Sequence, residues 1–355
     1  MYRERLSELL EEDSRFIERV RRHEQGNPTF VPVFITGGVG DGILLRSTFK
    51  RLRDEGYQLL VYSHHAEALR YFYKDMTIHK GDLPAFTWHL HLDSVAKFRF
   101  NDQFDGFLMS MHKLLFERQQ RLFRRRHDFE FLLRDHPKYK ATLAAKAVEL
   151  GLDATTLPLY CLGFEDAKTI ESLPRKAPSN YITIHDGFDL NNHDQVNGRC
   201  TKQWAWQHWN DLVKRLRAAY PEYEVIQLGA RTSRPIDGAK DMLNKTTFTE
   251  AFDIISRSRL HIDTDSGLVH AAHAMSVPSV VIWGPSPKGF YGHPENANLF
   301  STASCTGGCF HLPVRGNWQT GWMDRCPVGY LTPRCMDDVS PAAVMEAVNG
   351  TLTTH

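Results

Sequence analysis

The sequence predicts an α/β chain made of two facing Rossmann-like domains with a cleft between them. Three observations lead there. Strand, glycine loop, helix and strand follow one another at 30–63, and the same alternation restarts after position 180. At 355 residues the chain is also too long for one compact core. The segment "ESLPRKAPSN" (171–180), with two prolines and a Ser-Asn pair, marks the linker. The predicted domains are 1–175 and 176–355.

In chain order, "MYRERLSELLEEDSRFIERV" places Leu6, Leu9, Leu10, Ile17 and Val20 at helical spacing among charges. That pattern predicts an N-terminal helix and not a signal peptide. "FVPVFIT" (30–36) reads as a buried strand, "GGVGDG" (37–42) as a loop and "ILLRSTFKRLRDEG" as an amphipathic helix closed by glycine. "YQLLVYS" (57–63) is the second strand. From about 100 to 150 the pattern turns helical, with Phe104, Leu108, Met111, Leu115 and Leu122 as an apolar stripe. Beyond the linker, "YITIHDG", "YEVIQLG", "LHIDTD" and "SVVIWGPS" read as strands. "AWQHWNDLVKRLRAAYP", "FTEAFDIISRS" and "GLVHAAHAM" read as the helices between them. In such sheets ligands sit beyond the carboxyl ends of the strands, where "GGVGDG", "HDG", "LGA" and "DTDSG" fall.

Composition narrows the class. With 42% apolar and 24% charged residues the chain belongs among globular proteins. A net charge of +1 gives no global case for nucleic acid or a membrane surface as partner. No stretch has the length needed for a transmembrane segment. A cytoplasmic address with reduced cysteines is expected.

Several residues suit chemistry. "GGVGDG" departs from the dinucleotide fingerprint: its last glycine is absent, and His64 and His65 stand where an acidic residue would end the second strand. Within this glycine loop (Gly38, Gly40), Asp41 is either a helix cap or a general base. Lys202, just ahead of a helix, suits phosphate oxygens, while Trp206 and Trp209 read as wedges against the sheet. Ser266 and Gly267 open a helix whose unpaired N–H groups and dipole favour phosphate, with Asp265 and His270 in the same turn. Alternatively Asp265 and Ser266 are caps, and His270 and His273 face the sheet. Asp263 and Asp265 spell D-x-D, a cation-binding pattern elsewhere, but their place at a strand end in a doubly wound half argues against metal. Cys305, Cys309, Cys326 and Cys335 form C-x3-C-x16-C-x8-C, which fits a structural site for zinc or iron, free thiols or a disulfide. Cys161 and Cys200 look incidental. Arg118, Arg121, Arg124 and Arg125 share one helix face, either solvated or able to steer an anionic acceptor or partner.

Three stretches, "GGVGDGILLRSTFKRL", "TKQWAWQHWNDLVKRL" and "DTDSGLVHAAHAMSVPSVVIWGPS", in this order and spacing resemble glycosyltransferase family 9, the ADP-heptose:lipopolysaccharide heptosyltransferases. The tail "RCMDDVSPAAVMEAV" looks like the cysteine tail of many members. The resemblance implies the GT-B architecture, a nucleotide-sugar donor held mainly by the second domain, and inversion at the anomeric carbon without a catalytic metal. It makes Asp41 the base and Lys202 the phosphate contact. Asp265, Ser266, Gly267 and His270 match the donor-binding D-[ST]-G-x-x-H, and Gly229 and Arg231 in "QLGARTSRP" fall on the donor side. Arg231 departs from the pattern, because an acidic residue is expected there. The expected reaction moves heptose from ADP-heptose to a hydroxyl of a saccharide or lipopolysaccharide core. The stretch 85–150 does not resemble the usual acceptor region. An autotransporter-type protein O-heptosyltransferase with cysteine-held iron is therefore an alternative, although no β-rich N-terminal extension precedes the first strand. A sugar-nucleotide epimerase or hydrolase on the same scaffold, and a non-enzymatic nucleotide-sugar sensor, complete the set.

Overall fold

The structure, a computed structural model, describes residues 30–84, 86, 88–102, 108, 110–134, 136–187, 202–230, 233–301, 330 and 332–354. The expected N-terminal helix, Arg231, Cys200, Cys305, Cys309 and Cys326 lie outside the described residues. Contacts divide the chain into two units. The first holds Leu45–Arg125, Thr155–Thr169 and the residues up to Gly37; the second holds Gly38–Leu44, Arg126–Ala154 and everything from Ile170.

In the first unit, β1 (Phe30–Ile35), β2 (Gln58–Ser63), β3 (Ile78–Lys80), β4 (Trp88–Leu92) and β5 (Ala96–Phe100) form a sheet of order β3-β2-β1-β4-β5. It is parallel except at β5, which returns along β4 as a hairpin. Asp93 closes that hairpin by accepting the Val95 N–H at 2.9 Å. The helices are α1 (Val39–Leu44), α2 (Arg46–Asp54), α3 (Ala66–Leu69), α4 (Ser110–Arg125), α5 (His127–Arg134), α6 (His136–Glu149) and α7 (Leu157–Cys161). By the division above, α1, α5 and α6 belong to the second unit. The helical reading of 100–150 is met by α4 to α6. Leu115 and Leu122 of the expected stripe are buried, and Gln119 on α4 gives its amide to the carbonyls of Ala96 and Cys161. One expectation is corrected: 37–42 is not all loop, because α1 starts at Val39 and contains Gly40, Asp41 and Gly42.

The second unit carries β6 (Tyr181–His185), β7 (Glu224–Leu228), β8 (Lys240–Asp241), β9 (His261–Thr264), β10 (Ser279–Trp283) and β11 (Ala297–Phe300). Their order is β11-β10-β9-β6-β7-β8, parallel throughout. Runs such as "SVVIW", buried at every position, suit a sheet covered on both faces. The strand order reverses beside β6, so the carboxyl ends of β6 and β9 flank the switch point at which such sheets bind ligands. Around the sheet lie α8 (Trp206–Ala219), α9 (Phe248–Ser256), α10 (Gly267–Ala274), α11 (Lys288–Tyr291), α12 (Arg334–Asp337) and α13 (Pro341–Thr354). Thr247 and Glu250 start α9 with a reciprocal capping box.

Helix α8 shows the packing logic. Trp209, Leu212, Val213 and Leu216 recur at helical spacing, are fully buried, and join Val344 and Val348 of α13 in one core. Trp206 does not wedge into the sheet as expected. It is partly exposed and gives its indole N–H to the Pro235 carbonyl. Because Leu212 has no solvent face, Leu212→Ala removes buried methyl groups and leaves a cavity. It should destabilise the second unit by about 2 to 5 kcal/mol, read from the urea midpoint of that unit's transition.

Candidate functional site

The carboxyl end of β9 is organised by Asp263, which is fully buried. Its carboxylate accepts from the His185 ring at 2.9 Å, the His261 ring at 3.2 Å, the Thr264 N–H at 2.7 Å and the Ser266 hydroxyl at 2.5 Å. Burial alone pushes the Asp263 carboxyl up, but His185 and His261 outweigh it and hold it down at about 2. Burial likewise disfavours charge on His185, and Asp263 followed by Asp186 overcomes this and raises its pKa. The other nitrogen of His261 meets the Thr183 hydroxyl at 3.0 Å.

The chain then turns into α10. Ser266 is the N-cap, accepting the Leu268 N–H at 3.0 Å while its own hydroxyl goes to Asp263. The cap reading of Ser266 is therefore met. Asp265 does not cap: it pairs with Lys202 at 2.7 Å, both side chains nearly buried. Burial raises the Asp265 carboxyl, and Lys202 and then Ser286 more than offset it, so the group lies below the usual carboxylate range. The two carboxylates of the D-x-D pattern thus face different partners. His270 is buried and shares a 2.9 Å hydrogen bond with His293. Burial keeps it neutral, with its pKa near 4, and holds His293 well below the ordinary histidine value. His273 does not face the sheet as expected; it stacks on His293 at 3.6 Å, near Glu295.

Helix α1 rests on the start of α10. A Cβ at Gly40 would stand 2.9 Å from the His270 ring and 3.0 Å from the Gly267 Cα, and one at Gly267 would stand 3.1 Å from the Gly40 nitrogen. Both residues are glycine because two backbones meet there. Asp41, in the first turn of α1, accepts the Gly38 N–H at 2.9 Å, as the third helical residue does in a capping box. It is only partly buried, and its charge acts on His270. Cap and reactive carboxylate are compatible descriptions of this residue.

Of the other residues singled out, Gly229 follows β7 with φ +154°, and a Cβ there would overlap Ser233, so the position requires glycine. Cys335 is buried in α12 within the core of the second unit. Among the described residues no group of three or more His, Cys, Asp or Glu side chains is arranged to hold a metal ion. None of their helices is long and apolar enough to cross a membrane. The structure brings together Asp41, Lys202, Asp265, Ser266, Gly267 and His270, and adds His185, His261, Ser286 and His293, which the sequence reading missed. "HDG" at a strand end was a visible signal for His185; His261 was hidden inside a short strand.

Buried neutral His270 has a consequence for pH. The unfolded chain binds its proton near pH 6.5 and the folded chain refuses it until about pH 4. Stability conferred here is complete above pH 6.5 and is lost as pH falls toward 4, by about 1.4 kcal/mol per pH unit for one proton. His270→Gln should flatten the pH dependence of stability in that window by about one proton. An unchanged slope in urea titrations from pH 7 to 4 contradicts the assignment.

Residues 195–311 match the sequence model of the family described as Glycosyltransferase family 9 (heptosyltransferase). That segment contains Lys202 and the whole start of α10. Lipopolysaccharide heptosyltransferase 2 of Escherichia coli (strain K12) is 21% identical over 213 residues, 52% of this chain. The match spans little more than half of that relative, 57% of its length. Among solved structures, the chain is similar to the iron-containing dodecameric glycosyltransferase TibC from enterotoxigenic E. coli H10407, with TM-score 0.61 and 15% identity. A complex of TibC with ADP-D-beta-D-heptose gives 0.58 and 16%; both alignments cover 92% of this chain and 77% of TibC. The glycosyl transferase family 9 structure from Veillonella parvula DSM 2008 gives 0.50 and 12%, over 92% of this chain and 98% of that one. These are likenesses of fold.

Proposed function

We propose that this glycosyltransferase family 9 chain transfers a sugar from a nucleotide-sugar donor to an acceptor hydroxyl, with inversion and without a catalytic metal. The observation that carries the reading is the seating of α1 on α10 at Gly40 and Gly267, which sets the Asp41 carboxylate beside the turn bearing Asp265 and Ser266, where Lys202 pairs with Asp265. ADP-heptose is the proposed donor, in line with the nucleotide sugar bound in the TibC complex. In the step, the acceptor oxygen bonds to the anomeric carbon as its proton passes to Asp41. The bond from that carbon to the diphosphate oxygen breaks, and the departing diphosphate takes the electron pair. Lys202 and the amino end of α10 meet the charge that develops there, the kind of preorganised stabilisation that usually weighs most in catalysis. Neutral His270 contributes a hydrogen bond, not a charge. Arg231 and Gly229 belong to the donor side of this proposal.

The proposed acceptor is a hydroxyl of a saccharide or lipopolysaccharide core, in keeping with the relative's name. A protein hydroxyl is the second reading, favoured by C-x3-C-x16-C-x8-C, a spacing able to hold iron, beside the fold likeness to the iron-containing glycosyltransferase TibC. Cys305, Cys309, Cys326 and Cys335 would hold one zinc or iron in a structural role, and cytosolic residence would keep those thiols reduced. Metal analysis of the purified protein should find about one zinc or iron per chain, lost on Cys335→Ser; a metal-free, fully folded protein removes the site.

The central test is turnover of ADP-heptose with and without acceptor. Product that forms only with acceptor is expected, whereas ADP released equally in its absence makes the protein a hydrolase. Asp41→Asn should lower turnover roughly a hundredfold, as general-base removal does, with ADP affinity unaltered. If turnover falls only in proportion to a drop in melting temperature, Asp41 is a cap and nothing more.

A further inference from the structure

Helix α4 packs along the first unit's sheet, where Gln119 reaches Ala96, the partner of Leu92 at the end of β4. Near its start the His112 ring packs on Trp88, the first residue of β4, and bonds to the backbone of Phe30, the first residue of β1. Further along, Arg118 reaches to 3.6 Å from Glu55, just ahead of β2.

The basic face of α4 forms a built recess. An open cavity of about 550 Å³ is lined by Arg118, Arg121, Arg124, Arg125, Gly163 and Glu165. The lining holds four guanidinium groups and one carboxylate; Glu165 pairs with Arg125 and Arg118 lies near Glu55, which leaves the charges of Arg121 and Arg124 in surplus. The Arg118 guanidinium is held 4.2 Å over the Phe164 ring, and its buried Nη1 has no hydrogen-bond partner. Gly163 closes the recess with φ +80°, and a Cβ there would stand 2.5 Å from the Arg118 side chain and 2.7 Å from its carbonyl oxygen. Only glycine lets the turn approach this closely. Arg121 and Arg124 project from the rim and are exposed.

We propose that this recess is a second binding site, specific for a phosphate-type oxyanion. Guanidinium forks match the geometry of phosphate oxygens, and charge-assisted bonds of this kind are the strong ones. A phosphate would neutralise the surplus charge of Arg121 and Arg124. A soluble phosphorylated compound and a phospholipid headgroup present the same chemistry, so the test separates them.

The protein is first saturated with ADP to occupy the proposed donor site. Phenylglyoxal modification of individual arginines is then followed by peptide mass spectrometry. Inorganic pyrophosphate should slow modification of Arg121 and Arg124 at least about fivefold while leaving Arg215 on α8 unaffected, and the protection should weaken as salt rises. In calorimetry under the same conditions, Arg121→Ala with Arg124→Ala should weaken pyrophosphate binding at least about tenfold without altering ADP affinity. Protection by phosphatidic acid vesicles, absent with phosphatidylcholine vesicles and with pyrophosphate, assigns the site to a lipid headgroup. Protection by pyrophosphate assigns it to a soluble phosphate. If neither protects Arg121 and Arg124 above Arg215, the recess is a solvated face and the proposal fails, whatever becomes of the proposed transfer.

Discussion

The buried carboxylate of Asp263 is the constraint on which the candidate site depends. Its four donors come from β6, from β9 itself, from the strand-end backbone and from the helix cap. A buried charge is tolerable when every lone pair is answered, and removing one partner of such a set costs much more than the set contributes. The network ties the end of β9 to β6 and fixes the Ser266 hydroxyl between Asp263 and the Leu268 N–H. Where α10 begins, and which way its first N–H groups point, follows from that hydroxyl.

With α10 fixed, α1 can take only one seat on it. Gly40 and Gly267 bring two backbones together with no room for a Cβ on either, so the glycines that resemble a nucleotide loop in the sequence act here as a packing requirement. Packing also explains how a six-residue helix with two glycines forms at all. Glycine costs about 1 kcal/mol relative to alanine in a helix interior, and burial of Val39, Ile43 and Leu44 offsets it. Asp41 inherits its position from this arrangement: one oxygen is engaged by the Gly38 N–H, and the carboxylate as a whole is held near His270.

What was legible in the sequence divides along the same physical lines. Long apolar runs such as "YITIH" and "SVVIW" announced the parallel sheet of the second unit, and the amphipathic spacing of Trp209, Leu212, Val213 and Leu216 announced α8. The strands β3 to β5 were missed because Ile78–Lys80 is three residues long and "WHLHL" interleaves histidine with its apolar positions. Helix α1 was hidden by glycines whose reason is a contact more than two hundred residues away in sequence. In the site, local features were readable: a Ser ahead of a helix, an Asp in a first turn. The Asp263 network was not, because His185 and Asp263 are 78 positions apart and no local pattern joins them.

The Lys202–Asp265 pair bears on how the proposed donor would be held. A lysine alone near a diphosphate would act as a mobile point charge. Here Asp265 already neutralises it, so the pair adds little net positive charge to the site. Its effect is geometric. With the ammonium fixed at 2.7 Å from a nearly buried carboxylate, little side-chain freedom is left to lose when a phosphate oxygen arrives, and that loss is among the main costs of binding. In the proposed binding mode the attraction for phosphate would come largely from the amino end of α10, whose direction is set by Ser266 and through it by Asp263. Charge and orientation at the site therefore have separate sources, and both trace back to the end of one strand.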